Sequence, residues 1–186
     1  MDMVYNDESN GPFIQTFKFV RSGLLFALYH TEKTSFSMLK GIELLDSILS
    51  ELLFQKYIHV LLTDRGAEFS AVQAIENRAN ATRKTRVYYC DPIQSRQKGT
   101  LENKHIELRH ILPKRTDLKA LGLSGQEALN LVLSHVNSSS VESLGGGSPL
   151  ELTRFMYPYI YEKLHAFVIR MIPKNQVILK PFLLKK

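Results

Sequence analysis

Residues 61–70 read LLTDRGAEFS, an apolar run that ends on a carboxylate, Asp64, and breaks at once on Arg65-Gly66. Standing alone, an acid at the end of a strand is a turn-former or a helix cap. Thirty-eight residues later the stretch QKGTLENKHIELRH (97–110) places a second acid, Glu102, just inside a predicted helix. The residues between follow an alternating plan. KYIHVLLTD (56–64) has the pattern of a buried strand, AEFSAVQAIENRA (67–79) of a short helix and TRVYYC (85–90) of another strand. TLENKHIELRHIL (100–112) has helical spacing and must stop before Pro113.

Upstream, MDMVYND (1–7) reads as a short strand. FIQTFKFV (13–20) and GLLFALYH (23–30) are β-like runs joined by a tight RSG connection. Residues 33–55 then switch to helical period, with Leu39, Ile42, Leu45, Leu49 and Leu52 on one face and Thr34 as the N-cap. The order β-β-β-α-β-α-β-α implies an α/β fold: a mixed sheet, three antiparallel strands followed by parallel ones, flanked by helices. Downstream, Ser124-Gly-Gln-Glu127 is a capping box for a helix over 126–136. Residues 137–149, NSSSVESLGGGSP, are low in complexity and predict a flexible loop. Ser148-Pro149-Leu-Glu151 opens a last helix, with Leu152, Phe155, Met156, Tyr159 and Ile160 on one face. The expected organisation is a core over 1–136, the loop over 137–149 and a C-terminal helix and tail over 150–186.

A chain of 186 residues with 44% hydrophobic and 23% charged residues has the composition of a globular protein with one sizeable core. No apolar run is long enough to span a bilayer, and the first residues lack the plan of a signal peptide. The single Cys90 excludes an internal disulfide and suits a reducing compartment. The net charge of +6 is unevenly placed. Residues 78–119 hold eleven Lys or Arg against four acids, a local +7, so the remainder is slightly acidic. A cationic zone centred on Glu102 is what a surface that attracts a polyanion requires.

Asp2, Asp64 and Glu102 can converge at one sheet end if the first and fourth strands are neighbours. Three clustered carboxylates repel one another unless cations lie between them. Hard ions such as Mg2+ or Mn2+ take oxygen ligands, and a pair of them stabilises the attacking and leaving oxygens of a displacement at phosphorus. Glu102, near a helix N-terminus, gains from the positive end of the helix dipole. Arg109 lies two turns beyond Glu102 on the same face, and Arg96, Lys98 and Lys104 flank it, all suited to phosphate contacts that position nucleic acid without reading it. Asp7 is the alternative to Asp2 if the first strand is shifted. His105 and His110 lack the cysteines or the second spaced pair that a zinc site needs.

TDRGAEFS (63–70), followed by YYCDPIQSRQKGTLENKHIELRHILPKRTDL (88–118), resembles the catalytic core of bacterial insertion-sequence transposases of the retroviral-integrase type. The resemblance implies an RNase H-like fold and an Asp-Asp-Glu triad, carried onto Asp2, Asp64 and Glu102. It implies divalent metal, Mg2+ or Mn2+ in two sites, and DNA cleavage and strand transfer on element ends and target DNA. It also implies a homo-oligomer in the full-length protein and a bacterial cytoplasmic, nucleoid-associated location. The runner-up functions are a plain metal-dependent nuclease and an inactive remnant that only binds DNA. Arg65 stands where the family more often has Asn, and residues 137–149 lack the basic residues often found there. The family's helix-turn-helix region has no counterpart in this sequence, which is expected to be the catalytic and C-terminal part of a longer protein.

Overall fold

The computed structural model describes residues 1–91 and 99–185. Three short strands, β1 (Asp2–Val4), β2 (Phe13–Lys18) and β3 (Leu25–His30), form an antiparallel meander with Asp2 opposite Thr16 and Phe13 opposite His30. β2 lies between the other two and is buried along almost its whole length. Two further strands, β4 (Val60–Thr63) and β5 (Arg86–Tyr89), pair in parallel. A crossover through the short helix α3 (Val72–Glu76) connects them. Among the described residues the strands therefore group as two sheets rather than one continuous ladder. They are stitched where the Met1 amino group donates to the Leu62 carbonyl oxygen at 2.7 Å, which brings the start of β1 beside the end of β4. The expected fold class holds: a three-stranded antiparallel unit, parallel strands and flanking helices.

Helix α1 (Ser35–Leu49) starts as expected, with the Thr34 hydroxyl accepting the Ser37 N–H, and buries Met38, Ile42, Leu45 and Leu49. It lies hard against β2 at Gly41, where a Cβ would collide with the Gln15 side chain. Gln15 is fully buried, and its amide donates to the Met38 carbonyl and contacts His30 Nε2 at 3.0 Å, so its polar atoms are spent inside. The helical period continues to Gln55 in sequence, but the helix breaks at Ser50, at φ +73°, and restarts as α2 (Glu51–Tyr57).

Helix α4 (Gly99–Ile111) packs Leu101, Leu108 and Ile111 into the core. Helix α5 (Gln126–Ser138) runs along the outer edge of β3. Its Gln126 amide bonds Tyr29 N and Ala27 O, and its Asn137 amide bonds both backbone groups of Leu25. Two side chains thus occupy hydrogen-bonding groups that an exposed edge strand would offer to another chain. The expected capping box at Ser124 does not form. Gly125 is the N-cap, and Gln126, a member of that motif, is drawn to β3.

Residues 137–149, expected as a flexible loop, are hydrogen-bonded into the fold. Asn137 and Ser138 extend α5, and Val141 N reaches Gly147 O across a turn with Gly145 and Gly146 at positive φ. The capping box at Ser148 does form, with Pro149 at the first position of α6 (Pro149–Met156). The expected single last helix breaks at Tyr157, because Pro158 cannot donate to the preceding turn, and resumes as α7 (Pro158–Ala166). The tail then returns along α5. Ser134 Oγ accepts Arg170 N–H, Ser138 Oγ accepts Ile172 N–H, and His135 Nδ1 accepts Ile178 N–H at 3.0 Å. Leu184 closes against Gly122, where a Cβ would approach the Leu184 carbonyl oxygen to 2.5 Å.

This docking predicts acid sensitivity. Burial lowers the pKa of both His30 and His135 below the ordinary imidazole value near 6.5. The unfolded chain therefore binds more protons than the folded one below that value, and stability falls as pH drops through about 6.5 and beyond. Protonated His135 also loses the acceptor that holds Ile178. Thermal melts between pH 8 and 5 should show a decline that is shallower in His135→Gln.

Candidate active site

Asp2 opens β1, and three contacts fix it. Its Oδ1 accepts the Met3 N–H at 2.8 Å, its carbonyl accepts the Thr16 hydroxyl at 3.1 Å, and its Oδ2 lies 4.0 Å from His105 Nδ1. Asp64 immediately follows β4, whose ladder with β5 is extended by Cys90 N–H donating to Thr63 O. Its Oδ1 accepts the Gly66 N–H at 3.3 Å, so the TDRG turn is an Asx-type turn. The Glu68 carboxylate lies over Gly66: a Cβ there would come within 2.6 Å of it, so a larger residue would push the Glu68 side chain aside. Glu102 lies in the first turn of α4 and is exposed.

His105 is the residue that joins these elements. It stands one turn after Glu102, so the two share a helix face. Its Nε2 lies 2.9 Å from the Thr16 hydroxyl while Nδ1 faces Asp2. The helix that carries Glu102 is thus pinned to the strands that carry and support Asp2. The Met1–Leu62 hydrogen bond, one residue from Asp2 and two from Asp64, ties the same strand to the other carboxylate's strand. Sequence reasoning weighed His105 only as a zinc ligand. Its three-residue spacing from Glu102 was the available signal for this bridging position.

Among the described residues, no three His, Cys, Asp or Glu side chains stand close enough to hold one metal ion. Asp2, Asp64 and Glu102 are brought onto adjoining elements but are not gathered into a closed ligand set. In kind they fit a hard cation: all three offer carboxylate oxygens, and the one thiol, Cys90, is buried. Asp7, the alternative first acid, lies beyond β1 and is exposed, with its carboxylate accepting the Ser9 N–H.

The basic residues expected to meet phosphate divide. Arg109 turns inward, donating to Tyr5 O at 3.0 Å, Asn6 Oδ1 at 2.5 Å and Leu112 O at 3.3 Å, and burial lowers its pKa. Asn6 in turn donates to Pro113 O and Thr116 O, so this cluster locks the end of β1 to the end of α4. Lys104 is only 4% exposed and pairs with Glu107 at 2.6 Å. Arg96 and Lys98 lie outside the described residues. Arg65, Arg83, Arg86, Lys114, Arg115 and Lys119 are exposed.

No family model matches the chain. It is 36% identical over 88 residues to the transposase for insertion sequence element IS1086 of Cupriavidus metallidurans, a match covering 47% of this chain and 22% of that protein. It is 35% identical over 77 residues to ORF3 of Spiroplasma virus SpV1-R8A2 B, assigned as an integrase, covering 41% of this chain and 22% of the relative. Each match thus takes in about a fifth of the curated relative's length. In three dimensions it is similar to the catalytic core domain of BIV integrase, with a TM-score of 0.53 and 21% identity over 89% of this chain and 96% of that one. The chain is therefore related in sequence to insertion-sequence transposases and integrases, and it has the fold of an integrase catalytic core.

Proposed function

We propose that this chain is the part of a transposase that cuts DNA and joins the freed end to target DNA, with Asp2, Asp64 and Glu102 as its metal-holding carboxylates. The observation that carries the reading is the placement of Asp2. Its strand is tied through Met1 to the strand that ends in Asp64, and through His105 to the helix that bears Glu102. A bound Mg2+ or Mn2+ pair would activate the attacking oxygen and stabilise the leaving one. The chain's own residues supply the frame. Arg109 and Asn6 hold the Asp2 strand against α4, the Gly66 amide orients Asp64, and the helix dipole favours an ionised Glu102. Arg96 and Lys98, which precede that helix in sequence, would meet the phosphate backbone.

The test is incubation of the protein with plasmid or short duplex DNA and Mg2+ or Mn2+, scoring both nicked and joined products. Joined products support strand transfer, nicks without joining support a plain nuclease, and neither product supports a remnant that only binds. The full protein is proposed to act as a homo-oligomer, because joining two element ends requires two sites.

DNA binding should be strongly salt-dependent. Within the cationic zone Arg83, Arg86, Lys114, Arg115 and Lys119 are exposed and able to meet phosphates, about five contacts if all engage. Each contact releases condensed counterions, so affinity should drop roughly a hundredfold to a thousandfold between 50 and 200 mM salt. Fluorescence anisotropy on two unrelated duplexes checks this, and both should give the same slope.

A further inference from the structure

We propose that Lys33 is a positioning residue that holds the Asp64 turn against the end of the Asp2 strand. The idea rests on the metal-binding reading above, but its contacts stand on their own. Lys33 lies in the connection between β3 and α1, remote in sequence from both acids. Its ammonium is 3.1 Å from the Tyr5 hydroxyl, 3.3 Å from Glu8 Oε1 and 3.9 Å from Glu68 Oε1, and sits 4.5 Å from the centre of the Tyr5 ring. The Tyr5 hydroxyl itself donates to Glu8 at 2.8 Å. Tyr5 is three residues beyond Asp2, and Glu68 is four beyond Asp64. One cation thus bridges the segments that follow both acids.

The Glu68 arm of this bridge is the sheltered one. The Glu68 side chain is 14% exposed and that of Lys33 24%, whereas Glu8 is 70% exposed. The Glu8 arm is the shorter, and the Glu68 arm, being sheltered, is the less screened by salt. The Glu68 carboxylate folds over Gly66, where an added Cβ would push it aside, and Gly66 donates its N–H to Asp64. The contact path therefore runs from Lys33 through Glu68 and Gly66 to the Asp64 carboxylate. The Tyr5 hydroxyl, first among the neighbours, also raises the Lys33 pKa, so the ammonium stays charged at neutral pH. Groups that directly orient a metal ligand commonly change metal affinity tenfold to a hundredfold, and Lys33, acting through Glu68 and Gly66, should fall at the low end of about tenfold.

Hydrogen exchange and Mn2+ titration on the whole chain test the proposal, using Lys33→Met, Lys33→Arg, Gly66→Ala and Asp64→Asn. In Lys33→Met, exchange over residues 64–70 should speed about tenfold while β2 and β3 stay as slow as in the parent, and Mn2+ affinity should fall about tenfold. Lys33→Arg should restore most of both. Gly66→Ala, which displaces the Glu68 carboxylate, should mimic Lys33→Met. Unchanged exchange over 64–70 overturns the proposal, as does a rise spread over the whole core, which would mark Lys33 as a general stabiliser. Loss of DNA affinity with neither exchange nor Mn2+ binding altered would make it a phosphate contact instead and also overturn it. If Asp64→Asn leaves Mn2+ binding intact, the metal reading fails by itself, and the exchange measurement still decides the role of Lys33.

Discussion

Replacing Asp64 with Asn should lower Mg2+-dependent cleavage and joining at least about a thousandfold while leaving the fold intact. Charge stabilisation by bound metal is worth several kcal/mol of the barrier, and each 1.36 kcal/mol is a factor of ten in rate. An amide oxygen is a poorer ligand for a hard cation than a carboxylate. The structural work of Asp64 survives the change, because an Asn side-chain oxygen can still accept the Gly66 N–H that shapes the turn. Glu102→Gln should behave alike, since Glu102 is exposed and its removal leaves no hole in the core. Rates on plasmid DNA, paired with thermal melts, separate the two effects. Cleavage near the parent rate in folded Asp64→Asn protein would remove Asp64 from the catalytic set.

Arg109→Leu should act on the fold and not on DNA. Its guanidinium satisfies Tyr5 O, Asn6 Oδ1 and Leu112 O, joining the end of the first strand to the end of α4. Removing a charged donor from partly buried acceptors costs about 3 kcal/mol. For a chain of this size that is a fall in Tm of roughly 6–12 °C. Below its melting point the variant should bind duplex DNA as the parent does, because the group it lost faces inward. A weakened, less salt-dependent affinity with an unchanged melt would instead return Arg109 to the DNA-contacting role that its two-turn spacing from Glu102 suggests.

These two residues show how far the sequence could be read. The strand end and turn at Asp64 were legible because the clue is local: an apolar run ending in Asp, with a glycine two residues on. Arg109 was legible as a helix residue, but its contacts with Tyr5, Asn6 and Leu112 were not. Helical spacing says which residues share a face, not whether that face meets solvent or the returning end of a strand more than a hundred positions earlier. The burial of Lys104 was hidden for the same reason, since a lysine reads as solvated until the packing around it is known. The two capping motifs make the same point. Ser148-Pro149-Leu-Glu151 closed as expected because all its partners lie within four residues. Ser124-Gly-Gln-Glu127 did not: the helix starts one residue later, with Gly125 as N-cap, and Gln126 bonds the edge of β3 about a hundred residues away.

The sequence by itself determined the order of strands and helices apart from the breaks at Ser50 and Tyr157, the Thr34 and Ser148 helix starts, the cationic zone around Glu102 and the two acidic motifs. Each depends on residues a few positions apart, where backbone preference, periodicity and capping act directly. Only the tertiary structure decided that the strands form two sheets joined at Met1 and Leu62, that His105 pins α4 to β1 and β2, and that the tail returns along α5. Those outcomes turn on which buried polar group finds a partner far along the chain. A donor or acceptor left unsatisfied inside the fold costs 1–3 kcal/mol, enough to override a local preference worth about one.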